Sequence, residues 1–351
     1  MKKLIMLIDG ISNSGGTDRV ASTLSSLLCE EKYDVTLYSL TPGEPYYPTS
    51  DRVTVINPSA SVRMLKLVQF CQYLKKNPQD AIMIISMGKL SVQALLILKF
   101  FNNKTKVVCC DHVSIESFSK TIRQLKLFCY KLADEIAVLT DHDKRLLSDT
   151  HHLQNVHVVR NISPFHNNKI DIIFADMMAA KSKTVIAVGR LTRQKNFSRM
   201  LDVWKEVDKQ GWTLLIVGNG EEKSELQKKI SDFNLQDSVT IVEPSRKVDE
   251  YYRNAGFLLM TSRYEGLPMV LIEAKDFALP TVAFNCKTGP DEIITDDGYV
   301  IPYENNTDFV EKVNLLIADS AKRQSLSANA WKNASQYGPE RIISQWEQIL
   351  G

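Results

Sequence analysis

The sequence predicts an α/β protein made of two doubly wound domains of similar size facing a cleft. Three observations predict it. At about 150 residues per domain, a chain of 351 residues makes two domains. Short β-branched runs alternate along its whole length with longer stretches of helical period. Those runs are apolar on both faces, as strands of parallel sheets covered by helices on each side are.

The first strand is Lys3–Ile8. Met1-Lys2-Lys3 before it resembles the start of a leader peptide, but Asp9 cuts the apolar stretch after Ile8, short of the roughly seven residues an export signal needs. The expectation is a buried strand in a cytoplasmic protein. Gly16–Glu31 follows with helical period, then strands Asp34–Leu40 and Val53–Asn57, helix Val62–Lys76 and strand Ala81–Ser86. Ala94–Phe101 is the richest apolar run and is broken at Lys99, so nothing approaches the roughly 18 residues of a membrane span. Strand Lys106–Cys110, helix Phe118–Leu132, strand Glu135–Leu139, helix Asp141–Asp149 and strand Val156–Val159 complete the first half. Turn formers then interrupt the rhythm from Arg160 to Asn168, which places a domain boundary after residue 165. The second half repeats the pattern with strands Thr184–Val188, Trp212–Val217, Ser238–Val242, Phe257–Thr261, Thr281–Phe284 and Tyr299–Ile301. Helices Asp308–Ile317, Ala321–Tyr337 and Arg341–Ile349 close the chain.

Composition excludes several classes. Hydrophobic residues at 44% and charged residues at 24% are those of an ordinary globular chain, neither disordered nor collagen-like. A net charge of +2 is too small for a nucleic-acid footprint. The halves differ: residues 1–165 carry 20 Lys+Arg against 15 Asp+Glu, and the remainder 23 against 26. The six cysteines form no C-x-x-C pair, and His151-His152 with His157 is read as a solvated loop rather than a metal site.

Four segments at strand ends are candidates for chemistry. Gly15-Gly16 opens the first helix, where glycines let a backbone approach an anion at a helix N-terminus; a tight βα turn needs the same residues. Gly189-Arg190-Leu191-Thr192-Arg193-Gln194-Lys195 puts three cations within six residues at the edge of a parallel sheet. Arg190 suits bidentate phosphate contact and Lys195 a mobile point charge, unless the loop is simply a solvated basic one. Gly218-Asn219-Gly220 leaves room for a base or phosphate against the main chain, as many plain βα turns do. The segment from Thr261 to Ala274 is the most informative. Glu265 stands in a loop and Glu273 two turns into the helix that starts near Pro268. The backbone N–H groups of Leu267, Met269 and Val270 suit a phosphate, Glu273 the diol of a ribose, and Glu265 a sugar ring.

Glu265…Glu273 in E-x7-E spacing with Gly266-Leu267-Pro268 between them, preceded in order by Gly15-Gly16, Gly189-Arg190…Lys195 and Gly218-Asn219-Gly220, resembles the family-4 retaining glycosyltransferases of GT-B fold. The likeness covers almost the whole chain. It implies Arg190 and Lys195 on the donor pyrophosphate, Glu273 on the ribose and Glu265 on the transferred sugar. It also implies an acceptor domain over residues 1–165, a donor domain over 166–335, and a last helix, within 336–351, packing back on the first domain. Two segments depart from the family pattern. The front motif continues Thr17-Asp18-Arg19 where the family has Ala-Glu-Arg, and Ile241–Ser245 lacks the usual glycine, which leaves the base pocket open. Asp111-His112 resembles the family's acidic-His step, with His112 on a sugar hydroxyl or positioning the acceptor; a structural His capping a loop is the competing reading. Cys286-Lys287-Thr288-Gly289-Pro290 resembles a turn of polysaccharide-building members.

The resemblance implies transfer of a hexose or N-acetylhexosamine from a nucleotide sugar, UDP-linked, to a glycan acceptor such as a polyprenyl-diphosphate-linked O-antigen or capsule intermediate. No cofactor or metal is expected, because Arg190, Lys195 and a helix N-terminus would stabilise the leaving diphosphate. Asp141-His142-Asp143 is therefore read as acids capping a helix start. A nucleotide-sugar 2-epimerase and a non-catalytic sugar-nucleotide-binding subunit are the alternatives. In Val62–Lys76 and Ser119–Leu132 apolar residues fall at three- and four-residue steps, so one face packs while a cationic edge stays wet. Ordinary surface helices share that pattern. In an acceptor domain it leads to the expectation of peripheral binding to anionic lipid at the inner face of the plasma membrane.

Overall fold

The computed structural model describes residues 1–351 apart from 14, 167–172 and 246. Ser14 of the front motif and Asn167-Asn168 of the boundary segment therefore lie outside the described residues. The chain forms two compact units, one of Met1–Pro164 with Pro339–Gly351 and one of Phe165–Gly338. Against expected boundaries at 165 and 335, the chain leaves the first unit after Pro164 and returns after Gly338.

The first unit is a parallel sheet of β1 (Lys2–Ile8), β2 (Tyr33–Ser39), β3 (Thr54–Ile56), β4 (Ala81–Ser86), β5 (Lys106–Asp111), β6 (Glu135–Val138) and β7 (Val156–Val158) in the order β3-β2-β1-β4-β5-β6-β7. Its central strands are buried on both sides and alternate residues serve two cores. Ile5 and Leu7 of β1 pack with α2 (Arg63–Lys76), α3 (Leu90–Phe100) and α4 (Lys120–Tyr130). Leu4, Met6 and Ile8 pack on the opposite face, with α1 (Gly16–Glu31) and the terminal helix. Sequence periodicity does not mark helix α3. Leu90, Val92, Ala94, Leu95, Ile97 and Leu98 are all buried, so this helix is apolar around most of its circumference and shows no amphipathic period. After β6 comes α5 (Asp141–Arg145), which runs into a wider turn over Leu146–Thr150.

The second unit is a parallel sheet in the order β10-β9-β8-β11-β12-β13. Its strands are β8 (Thr184–Val188), β9 (Thr213–Val217), β10 (Val239–Val242), β11 (Phe257–Met260), β12 (Thr281–Asn285) and β13 (Gly298–Pro302). Its helices are α6 (Phe174–Ala179), α7 (Phe197–Glu206), α8 (Lys223–Asp232), α9 (Val248–Asn254), α10 (Met269–Asp276), α11 (Pro290–Ile293), α12 (Asn306–Ala318) and α13 (Ser320–Asn333). Helix α14 (Pro339–Leu350) belongs to the first unit, where Ile342, Ile343, Trp346, Ile349 and Leu350 are buried. Lys32 pairs with Glu347 at 2.8 Å and the Lys106 ammonium donates to the Ile349 carbonyl at 2.5 Å, fastening this helix to α1 and β5.

Candidate active site

In the second unit the motifs meet because β8 and β11 are hydrogen-bonded neighbours. The loop Gly189–Asn196 after β8 and the loop Thr261–Pro268 after β11 therefore leave the same sheet edge side by side, where ligands of such sheets bind. Main-chain and side-chain bonds join them. The Arg263 N–H donates to the Gln194 carbonyl at 2.8 Å, Gln194 Nε2 to the Tyr264 carbonyl at 3.0 Å, and Arg263 Nη2 to Asn196 Oδ1 at 3.1 Å. Thr261 Oγ1 donates to the Asn196 carbonyl at 3.0 Å. Asn196 adopts a left-handed conformation, φ 57°, at the start of α7, which the short polar side chain tolerates.

Across this seam Lys195 Nζ lies 2.6 Å from Glu265 Oε1, and the two side chains are 20% and 7% exposed. Arg190, on the same loop as Lys195, is exposed and makes no ion pair among the described residues. Glu273 is buried on α10, and its Oε2 accepts from the hydroxyl of fully buried Tyr252, 2.7 Å away. Glu273 thus also satisfies a core phenol, which the sequence does not show. Gly266, Leu267 and Pro268 lead into α10, with Pro268 as its extended N-cap. Met269 and Val270 open the first turn, where helical amides lack acceptors. Thr288 Oγ1 donates to the Glu265 carbonyl. Gly289, at φ 102°, lies where a Cβ would meet Pro268 Cδ at 2.4 Å. The Cys286–Pro290 turn thus buttresses the Glu265 loop from below.

The glycines of Gly218-Asn219-Gly220 pack closely against the loop after β8. A Cβ at Gly218 would meet the Gly189 carbonyl oxygen at 2.0 Å, and one at Gly220 the Leu191 carbonyl oxygen at 2.4 Å. The neighbouring loop therefore excludes a side chain at either position. Asn219 is exposed, and its side-chain oxygen accepts from the Gly220 N–H at 2.7 Å.

Gly15, Gly16 and His112 stand in the first unit. Gly15 is the extended N-cap of α1, and nothing lies within 4 Å of a Cβ built on Gly16. His112 follows β5, its N–H donating to the Ser86 carbonyl at 3.0 Å. Burial of the ring pulls its imidazole down to about 4, so it is neutral at pH 7. It lines a small, partly open pocket with Asp111, Arg160, Asn161, Ile342 and Trp346. Beneath it, fully buried Lys126 reaches Asp111 at 3.2 Å, the Gly88 carbonyl at 2.9 Å and Ser91 Oγ at 3.1 Å. Lys126 therefore does not belong to a wet cationic edge of α4, contrary to the sequence reading. An ammonium of fixed reach was captured by the one carboxylate at the end of β5. Asp143 is buried too, accepting from Ser114 Oγ at 2.6 Å and Thr140 Oγ1 at 2.7 Å. Asp141 pairs with Arg160 at 2.8 Å. The cap of α5 is Thr140, whose hydroxyl accepts from the Asp143 N–H, rather than an aspartate. His157 pairs with Glu135 at 2.7 Å.

Residues 169–333 match the family described as Glycosyl transferases group 1. Over 350 residues, covering 100% of both chains, the sequence is 59% identical to the amylovoran biosynthesis glycosyltransferase AmsD of Erwinia amylovora. The chain belongs to the group 1 glycosyl transferases. A second relative of this glycosyltransferase is the Campylobacter jejuni GalNAc-alpha-(1->4)-GalNAc-alpha-(1->3)-diNAcBac-PP-undecaprenol alpha-1,4-N-acetyl-D-galactosaminyltransferase, 26% identical over 100% of this chain and 98% of its own. Among solved structures, Staphylococcus aureus TarM, crystallised with fondaparinux, alpha-GlcNAc-glycerol and UDP, superposes with a TM-score of 0.81 at 16% identity over 100% of both chains. Anabaena HepE in complex with UDP-glucose superposes with a TM-score of 0.82 at 18% identity, over 100% of this chain and 99% of its own. The fold is GT-B, and a 59% identical glycosyltransferase decides for transfer over the epimerase reading.

Proposed function

We propose that this glycosyltransferase moves a hexose or N-acetylhexosamine, with retention, from a UDP-sugar to a lipid-linked glycan during surface-polysaccharide assembly. The observation that carries the donor half is the pairing of Lys195 with Glu265, where the loop after β8 that also carries Arg190 adjoins the loop after β11. Arg190 and Lys195 would hold the diphosphate and neutralise the charge that grows on its leaving oxygen, with the first-turn amides of α10 adding fixed dipoles. Glu265 would take hydroxyls of the transferred sugar and Glu273 those of the ribose. On retention, the acceptor hydroxyl attacks the face the diphosphate leaves, and the diphosphate oxygen takes its proton. Neutral His112 would orient that acceptor by hydrogen bonding. The acceptor class rests on the amylovoran and undecaprenol-linked activities in the names of two full-length relatives. The test is transfer from a panel of UDP-hexoses and UDP-N-acetylhexosamines to extracted lipid-linked acceptor, with and without EDTA. One donor is expected to be consumed, with turnover persisting in chelator. Inactivity with every UDP-sugar overturns the donor assignment, and activity lost to EDTA and restored by manganese overturns the metal-free reading.

The proposed membrane partner finds support in the face of the first unit formed by α2, α3 and α4. Helices α2, α3 and α4 carry eight Lys or Arg and no Asp or Glu. Arg63 is tied to Asp9, Lys66 to the Leu40 carbonyl and Lys126 to Asp111, but Lys75, Lys76, Lys99 and Lys120 are exposed. Among them stand Leu65, Leu96, Phe100 and Phe128, at 54, 43, 83 and 63% exposure. Each cation near an anionic surface contributes about 1 kcal/mol. Co-sedimentation with anionic vesicles is expected at low salt, weakening as salt rises and with Phe100→Ser/Phe128→Ser. No binding at low salt, with full activity on a soluble acceptor, removes the membrane from the proposal.

A further inference from the structure

Lys195, assigned above to the donor diphosphate, is not a waiting cation. Its stem lies over Gly189, with Cγ, Cδ and Cε each 3.4 Å from where a Cβ would stand. Its ammonium is spent on Glu265 at 2.6 Å. The loops that carry the two residues are pinned to each other through Arg263, Gln194, Thr261 and Asn196, and the Glu265 carbonyl is held by Thr288. The main chain is thereby fixed, and any change of partner is confined to the two side chains.

We infer that Lys195 and Glu265 form an exchangeable ion pair that makes the site favour the intact sugar donor over the bare diphosphate. This rests on the donor reading above. A diphosphate that takes Lys195 strips a carboxylate, 7% exposed, of its counter-ion. Such a carboxylate is costly unless new donors reach it. Sugar hydroxyls supply those donors, so the intact nucleotide sugar completes the exchange. UDP alone completes only half of it. After transfer the sugar has left, Glu265 recaptures Lys195, and the nucleotide product is displaced. No bond is made or broken in this step; one ammonium changes anionic partner.

The experiment is calorimetric binding of UDP and of inorganic pyrophosphate to the full chain as wild type, Glu265→Gln, Lys195→Met and the double variant. Glutamine keeps the shape and an acceptor but releases Lys195. Glu265→Gln is expected to bind UDP and pyrophosphate about tenfold more tightly, about 1.4 kcal/mol. That gain is expected to vanish in the Lys195→Met background, since the coupling runs through Lys195. Simple relief of charge repulsion would instead give the same gain in both backgrounds, and that result overturns the exchange. So does unchanged or weaker binding by Glu265→Gln when the wild type binds UDP. Should Glu265→Gln fail to fold, Glu265→Asp, one methylene shorter, is expected to shift affinity in the same direction. A wild type that binds neither UDP nor pyrophosphate brings down the donor reading itself, and the exchange with it.

Discussion

Arg190→Ala is expected to lower kcat for sugar transfer about 10²–10³-fold, roughly 3–4 kcal/mol, the scale found when one preorganised group facing developing charge is removed. The melting temperature should stay where it is. Arg190 is exposed and makes no ion pair among the described residues, and surface substitutions of this kind change stability by about 0.5 kcal/mol or less. Lys195→Ala should lose a similar factor in kcat but also melt earlier, because it leaves the Glu265 carboxylate largely buried without its counter-ion. Initial rates at saturating donor, paired with thermal melts of the same preparations, separate the two. Arg190→Ala with wild-type kcat would place the leaving diphosphate elsewhere. Equal drops in melting temperature would make Arg190 a structural cation. Glu273 is tested better by Gln than by Ala, since Ala removes the acceptor of the buried Tyr252 hydroxyl and mixes a packing loss into the kinetics.

The strands were legible because a parallel sheet covered on both faces writes itself as short continuous apolar runs. Each strand found among the described residues begins and ends within one residue of its run in the sequence. Helix α3 was not legible for the complementary reason: its wet face carries Leu96 and Phe100, so exposed and buried faces are both apolar and no period shows. In the site, residue types at strand ends pointed to Arg190, Lys195, Glu265 and Glu273. Their present partners did not show. Tyr252 precedes Glu273 by 21 residues and Thr288 follows Glu265 by 23, and no local spacing links such pairs. The close approach of the Gly189 and Leu191 carbonyls to Gly218 and Gly220 did not show either, because a glycine that admits a ligand and one that admits a neighbouring carbonyl read alike. Lys126 misled because its helical step matched its exposed neighbours, while the carboxylate that buries it sits on another element.

That buried pair carries the largest stability effect. Lys126→Met is expected to destabilise the protein by about 3–5 kcal/mol at pH 7.5, as breaking one side of a buried ion pair does. The loss comes from Asp111, left charged beside buried Asp143 with no ammonium. Even with Lys126 present, burial pushes the Asp111 carboxyl up to about 6. A carboxyl raised in the fold binds its proton more readily there than in the unfolded chain. Between about pH 4 and 6 this group therefore favours the fold progressively as acid is added. His112 works the other way, since its imidazole is pulled down to about 4 by burial. The unfolded chain takes that proton first, so stability falls as pH drops below about 6.5. The two act in opposite directions in the wild type. In Lys126→Met the Asp111 contribution grows while that of His112 is unchanged, so urea midpoints should rise for the variant relative to wild type between pH 7.5 and 5.5. Asp111→Asn added to Lys126→Met should recover much of the loss at pH 7.5 and flatten that pH dependence. A deficit independent of pH, with no rescue by Asp111→Asn, would mean that Lys126 stabilises the unit through its bonds to Gly88 and Ser91 and its packing against Phe118 and Tyr130, not through the carboxylate beside His112.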